Sequence, residues 1–139
     1  MLDLLDRLPA EFHTVRYDGA RIPDGTHDLS QRANCQLYAY AVLAQFGLHL
    51  PPLRSSELWA DAEETQRVTE IETLDLLLFS PDGASFGAHV AVYAGEGHAL
   101  HLCKSAGQPV IWSLQQFAVR PEYRVLIGGK RCNAACRPA

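Results

Sequence analysis

Apolar and polar positions change rhythm once along this chain, near residue 68. Before it, apolar residues recur every three or four positions; beyond it, they alternate or run in short blocks. The clearest helical stretch is Arg32-Ala33-Asn34-Cys35-Gln36-Leu37-Tyr38-Ala39-Tyr40-Ala41-Val42-Leu43-Ala44-Gln45-Phe46-Gly47. Asn34 suits the N-cap, where its side-chain oxygen accepts an orphan backbone N–H one turn on. Gly47 suits the position just past the helix, and Pro51 and Pro52 forbid continuation. Leu37, Ala41, Ala44 and Leu48 predict one buried face. Residues 2–8 predict a short helical turn that docks Leu4, Leu5 and Leu8 and stops at Pro9. Phe12 to Thr26 has little periodicity, and Tyr17-Asp18-Gly19 and Pro23-Asp24-Gly25 mark turns. Ser55-Ser56 caps a second helix running to about Arg67, with Leu58, Trp59 and Ala62 inward.

From Val68 the pattern predicts strands near 74–80, 87–94, 98–103, 109–112 and 122–128. Pro81-Asp82-Gly83, Gly95-Glu96-Gly97 and Gly107-Gln108-Pro109 separate the first four, and Ser113 to Ala118 predicts a single helical turn. Helices first and a strand meander second make an α+β domain, with N-terminal helices packed on an antiparallel sheet of five to six strands. Residues 1–131 form this single domain, and 132–139 are expected to fray as a C-terminal tail.

Composition narrows the function classes. The 139 residues are 47% hydrophobic and 20% charged, enough for a core without staples. A net charge of −4 and scattered basic residues give no electrostatic case for nucleic acid or an anionic membrane. No apolar run is long enough to span a bilayer. Met1-Leu2-Asp3-Leu4-Leu5-Asp6-Arg7 lacks a basic stretch followed by a long apolar core. The numbered chain is therefore expected in the cytoplasm unless a dedicated secretion system exports it. Cysteines at 35, 103, 132 and 136 match no zinc spacing, and free thiols are the simpler expectation.

Chemistry enters through Cys35, which falls in the first turn of the first long helix, where the positive end of the dipole favours a thiolate. A buried cysteine is also simply a small hydrophobe. Downstream, Ala88-His89-Val90-Ala91-Val92-Tyr93 and His98-Ala99-Leu100-His101-Leu102-Cys103 read as a hairpin. A turn centred on Gly95 would set His89 directly opposite His101 on one face. Cys35 as nucleophile, His89 as base and His101 as the group that orients it satisfy the needs of thiol catalysis. A Cys35–His89–His101 zinc site, with Cys103 on the same strand face, is the less economical reading.

These stretches together resemble the NlpC-type cysteine peptidases, a papain-like family that cleaves peptide bonds in bacterial cell-wall stem peptides. Asn34-Cys35-Gln36 stands where the family's nucleophile opens a helix. Leu74-Asp75-Leu76-Leu77-Leu78-Phe79 matches the apolar strand, and His89-Val90-Ala91-Val92-Tyr93-Ala94-Gly95 matches the strand that begins with the base. His101 matches the third polar residue, and Val125-Leu126-Ile127-Gly128-Gly129-Lys130-Arg131 matches the family's ending. The resemblance covers roughly residues 15–131. It implies that Cys35, His89 and His101 are catalytic and that Tyr17, Asn34 and Gln36 contact substrate, with no metal and no cofactor. The expected partner is a peptide or small amide, such as a γ-glutamyl amide, and nothing in the chain fixes an oligomeric state.

The family usually has Asp-Cys-Ser where this chain has Asn34-Cys35-Gln36. An asparagine lacks the negative charge that would pair with a substrate ammonium. Two other readings stay open. One is a thiol acyltransferase similar to the lecithin:retinol-acyltransferase-like group, in which the histidine precedes the cysteine. The other is a non-catalytic binding module of the same fold.

Overall fold

The computed structural model describes residues 3–24 and 28–136. Helices α1 (Glu11–Thr14), α2 (Cys35–Gln45) and α3 (Ser55–Ala60) precede strands β1 (Thr65–Val68), β2 (Leu76–Ser80), β3 (His89–Gly95), β4 (His98–His101) and β5 (Val110–Ser113). Helix α4 (Leu114–Ala118) then leads to β6 (Val125–Cys132), with 3-10 turns at Leu5–Arg7, Pro121–Tyr123 and Ala134–Cys136. All pairings are antiparallel, in the order β1-β6-β2-β3-β4-β5. This is an α+β fold. Among the described residues no helix is long and apolar enough to cross a membrane.

Two cores flank the sheet. On one face Leu76, Leu78, Val90 and Val92 pack with Leu37, Ala41 and other residues of α2. On the other, Leu77, Phe79, Ala91 and Ala99 pack with Trp112, Phe117 and Tyr123. The period-two alternation of β2 and β3 sends neighbouring side chains into different cores.

Helix α2 is capped as its sequence predicts. Asn34 accepts the Leu37 amide at 2.8 Å, and Gly47 takes a φ of 80° just past the end. Its burial is not one-sided: every residue from Gln36 to Leu43 is buried. The N-terminal segment accounts for the difference, because Leu4, Leu8 and Phe12 cover the side of α2 that an amphipathic reading would leave to water. The Tyr38 hydroxyl donates to the Phe12 carbonyl at 2.9 Å, and the Tyr40 hydroxyl to the Leu53 carbonyl at 2.8 Å. The α1 turn lies in a stretch whose sequence predicted loop, and part of the Pro23-Asp24-Gly25 turn lies outside the described residues.

The second helix is shorter than predicted and releases a strand. The Asp61 carboxylate collects the amides of Glu63, Glu64 and Thr65 and the Thr65 hydroxyl. These bonds turn the chain out of α3 and into β1, which pairs Thr65 with Cys132 and Val68 with Gly129. Buried Lys130 donates to the carbonyls of Trp59 and Asp61, fixing the end of α3 to β6 with a cation at its negative pole. Close contact explains Gly128-Gly129. A Cβ at Gly128, whose φ is 157°, would stand 2.6 Å from Trp59, and one at Gly129 would stand 2.5 Å from Ile71.

Residues 132–136 do not fray. Cys132 closes β6, Cys136 is fully buried, and its carbonyl accepts the His49 amide at 2.8 Å. Residues 137–139 lie outside the described residues.

Candidate active site

Cys35 is the first residue of α2, so its amide and that of Gln36 have no partner within the helix, while Asn34 takes the amide of Leu37. Cys35 is half-buried, unlike Cys103, Cys132 and Cys136, which are buried. Helix α2 packs on β3. The backbone amides of Val90, next to His89, and of Gln36 and Cys35 itself lie where they favour the charged form of the Cys35 thiol.

The two histidines meet by a route other than direct opposition. Glu96 and Gly97 both have positive φ, 54° and 74°, as a two-residue hairpin turn requires. With a bulge between Tyr93 and Gly95, this sets Val92 opposite Leu100 and Tyr93 opposite Ala99. The register therefore differs by two residues from a turn centred on Gly95, which keeps both histidines on one face. The β3–β4 ladder ends before reaching either of them, and the imidazoles meet where the strands part. His89 Nε2 lies 2.9 Å from His101 Nδ1, with the ring planes 81° apart.

The site is dry. His89 stacks beside Tyr123, with centroids 4.7 Å apart, and His101 touches Trp112 at 4.3 Å and Phe117 at 4.6 Å. Burial pushes the Cys35 thiol up to about 11, against the opposite influence of the nearby backbone amides. Burial likewise pushes His89 down to about 3. It holds His101 well below 6.5, with the charges of His89 and Arg120 adding to the effect. The thiolate that the helix position favours is thus outweighed by desolvation, and the resting pair is a neutral thiol and a neutral imidazole.

This environment carries a pH signature. A histidine whose folded pKa is depressed leaves stability intact above the unfolded value of about 6.5 and erodes it as pH falls toward the folded value. Between about pH 6.5 and 4, His89 is expected to cost about 1.4 kcal/mol per pH unit, and His101 adds to the loss in the same direction. Above about pH 9 the raised Cys35 thiol erodes stability in the opposite direction. Urea midpoints at pH 7.5, 5.5 and 4.5 check this, and the acid slope is expected to be shallower in His89→Gln.

Of the predicted substrate contacts, Tyr17 lies near enough to the cysteine for the two groups to influence each other's charge. It is half-buried, and its phenol is raised first by burial, then by the charges of Cys35 and Cys103. Asn34 and Gln36 are committed elsewhere: Asn34 caps α2, and Gln36 Nε2 donates to the Leu53 carbonyl at 3.2 Å. Both are buried. Cys103, Trp112, Phe117 and Tyr123 enclose the histidines on the far side. In the sequence they carry no signal beyond alternating apolar positions. Among the described residues no group of three or more His, Cys, Asp or Glu side chains is arranged to hold a metal ion.

A cysteine opening a buried helix, set against bonded histidines on successive strands of an antiparallel sheet, defines the papain-like class of α+β folds. The chain belongs to the NlpC/P60 family, whose model matches residues 18–123. Solved structures share the fold at low identity. The NlpC/P60 domain of the peptidoglycan hydrolase SagA is 22% identical with a TM-score of 0.54, covering 78% of this chain and 85% of its own. A lipoprotein-like NLP/P60 protein of Staphylococcus aureus is 20% identical with a TM-score of 0.62, covering 94% of this chain and 41% of its own. The peptidoglycan hydrolase RipB of Mycobacterium tuberculosis is 19% identical with a TM-score of 0.57, covering 93% and 62%. This chain thus spans less than two thirds of the latter two. No curated protein sequence matches it.

Proposed function

We propose that this chain is a cysteine-dependent amide hydrolase acting on stem peptides of bacterial cell walls or on related γ-glutamyl amides. One observation carries the reading: the 2.9 Å bond that fixes His89 against His101, on the strand that α2 and its first residue, Cys35, pack against. Because burial keeps both groups neutral at rest, attack requires the thiol proton to pass to His89 as sulfur bonds to the carbonyl carbon. The amides of Cys35 and Gln36, which have no partner within the helix, are the donors at hand for the developing oxyanion. His89 then gives its proton to the departing amine, leaving a thioester on Cys35. Water, deprotonated by His89, attacks the thioester, releases the carboxylic acid and restores the thiol. SagA and RipB, both peptidoglycan hydrolases by name, support the choice of substrate class.

Digestion of purified muropeptides with mass-spectrometric detection tests this. New amine and carboxylate ends that depend on Cys35 are expected. Intact muropeptides and intact γ-D-glutamyl dipeptide amides would overturn the substrate class, and a stable fatty acyl adduct on Cys35 would move the reading to acyl transfer.

A further inference from the structure

His101 is almost completely enclosed, at 1% exposure, and its Nε2 has no hydrogen-bond partner. Its other nitrogen, Nδ1, shares one proton with His89 Nε2 across 2.9 Å. Two arrangements follow. If His101 donates, a neutral His89 carries its own proton on Nδ1 and has no lone pair left for a thiol. If His89 donates, its Nδ1 is a free lone pair, and the proton of His101 sits on Nε2. Only the second makes His89 a base, and it buries an N–H among rings. Such an N–H left unpaired costs about 1–3 kcal/mol, so the tautomer needs an acceptor.

The available acceptor is aromatic. Trp112 of β5 is the ring nearest to His101, at 4.3 Å and 66° between planes, a T-shaped pairing in which one ring's edge meets the other's face, the arrangement an N–H···π contact requires. The indole is itself held, with the Arg120 guanidinium 4.0 Å over it and Phe117 at 5.2 Å. The titratable and charged groups around the histidines are Cys35 from α2, Tyr17 from the N-terminal segment, Cys103 after β4, Arg120 after α4, and Tyr123. Arg120 opposes a second proton on His101. His101 therefore serves as a neutral acceptor toward His89.

We propose that Trp112 is a positioning residue: its indole face receives the Nε2–H of His101 and holds that ring in the tautomer whose Nδ1 accepts from His89. The inference rests on the reading of His89 as the base, but its direct test does not use turnover.

Long-range ¹H–¹⁵N correlation spectra of the imidazoles at pH 7.5 report the tautomers. In the wild type, His101 is expected to be protonated at Nε2, with that proton shifted upfield by the indole ring current. Trp112→Leu is expected to move His101 toward Nδ1 protonation, and Trp112→Phe to retain the wild-type state. With a cleavable substrate, Trp112→Leu lowers kcat about tenfold at unchanged KM and shifts the acid limb of the pH profile, and Trp112→Phe recovers most of both. A wild-type His101 protonated at Nδ1 overturns the proposal even if the leucine variant does not fold, as does an unchanged tautomer in a folded Trp112→Leu. Expected spectra without turnover of any stem peptide would leave this proposal standing and overturn the hydrolase reading instead.

Discussion

Cys35→Ala is expected to lower amide cleavage by about 10⁴-fold while leaving the thermal unfolding midpoint near that of the wild type. The nucleophile is lost, but the cap that holds its helix comes from Asn34 rather than from Cys35. His89→Ala is expected to cost nearly as much, because burial keeps the thiol neutral and the proposed mechanism passes its proton to His89. The double variant should be little worse than either single one, since thiol and base act as a unit. Steady-state kinetics on a muropeptide, with unfolding monitored alongside, checks all three. Additive losses would mean that the two residues contribute independently.

The second large effect is on stability and lies behind the sheet. Asp75 is buried at 2% exposure and takes Arg131 in two bonds, Nε at 2.9 Å and the terminal nitrogen at 2.8 Å. It also accepts the Glu72 amide at 2.7 Å. These bonds secure a turn in which Leu74 has a φ of 77°, and that turn feeds β2 into its ladder: the Leu74 amide donates to the Tyr93 carbonyl, and the Tyr93 amide to that of Asp75. Asp75→Ala strands the Glu72 amide and leaves Arg131 with only the Glu70 carbonyl and the exposed Glu72 carboxylate. A fully buried broken pair costs about 3–5 kcal/mol. Arg131 keeps 27% of its side chain in water, so about 2–4 kcal/mol is the expected loss, a fall of roughly 10 °C in Tm. Asp75→Asn should cost less, since the amide oxygen still accepts one bond. Equal stability of wild type and Asp75→Ala would show that the turn holds itself.

Local rules carried much of this architecture. The caps of α2 and the Ser113-led turn of α4 are each written within a few residues, and the chain forms both. The alternation in β2 and β3 announced two-faced strands, and the sheet has a core on each face. What stayed hidden depends on distant partners. Thr65–Val68 looks like the end of a helix until Asp61 turns the chain and β6 supplies a ladder. Cys132 and Cys136 look like tail until β1 and His49 receive them.

The site divides in the same way. Parity alone put His89 and His101 on one face, and they are bonded. Their register was misread because Gly95 draws the eye as a turn centre, whereas Gly95 ends β3 and the two turn residues are Glu96 and Gly97. Asn34 and Gln36 flank the cysteine in sequence, but a helix start turns its side chains in several directions, and both are spent on structure. The thiol's state was the least legible. A helix position is visible in sequence, but the burial that outweighs it depends on how the rest of the chain packs around the start of α2.

The most direct test of the thiol–base pair is the rate of iodoacetamide labelling at pH 7, mapped by peptide to each cysteine, in wild type and His89→Ala. Exposure alone favours Cys35 over the three buried thiols, so the comparison between the two proteins is decisive. The account predicts labelling concentrated at Cys35 and slowed at least tenfold when His89 is removed. Equal rates at Cys35 in the two proteins would contradict it.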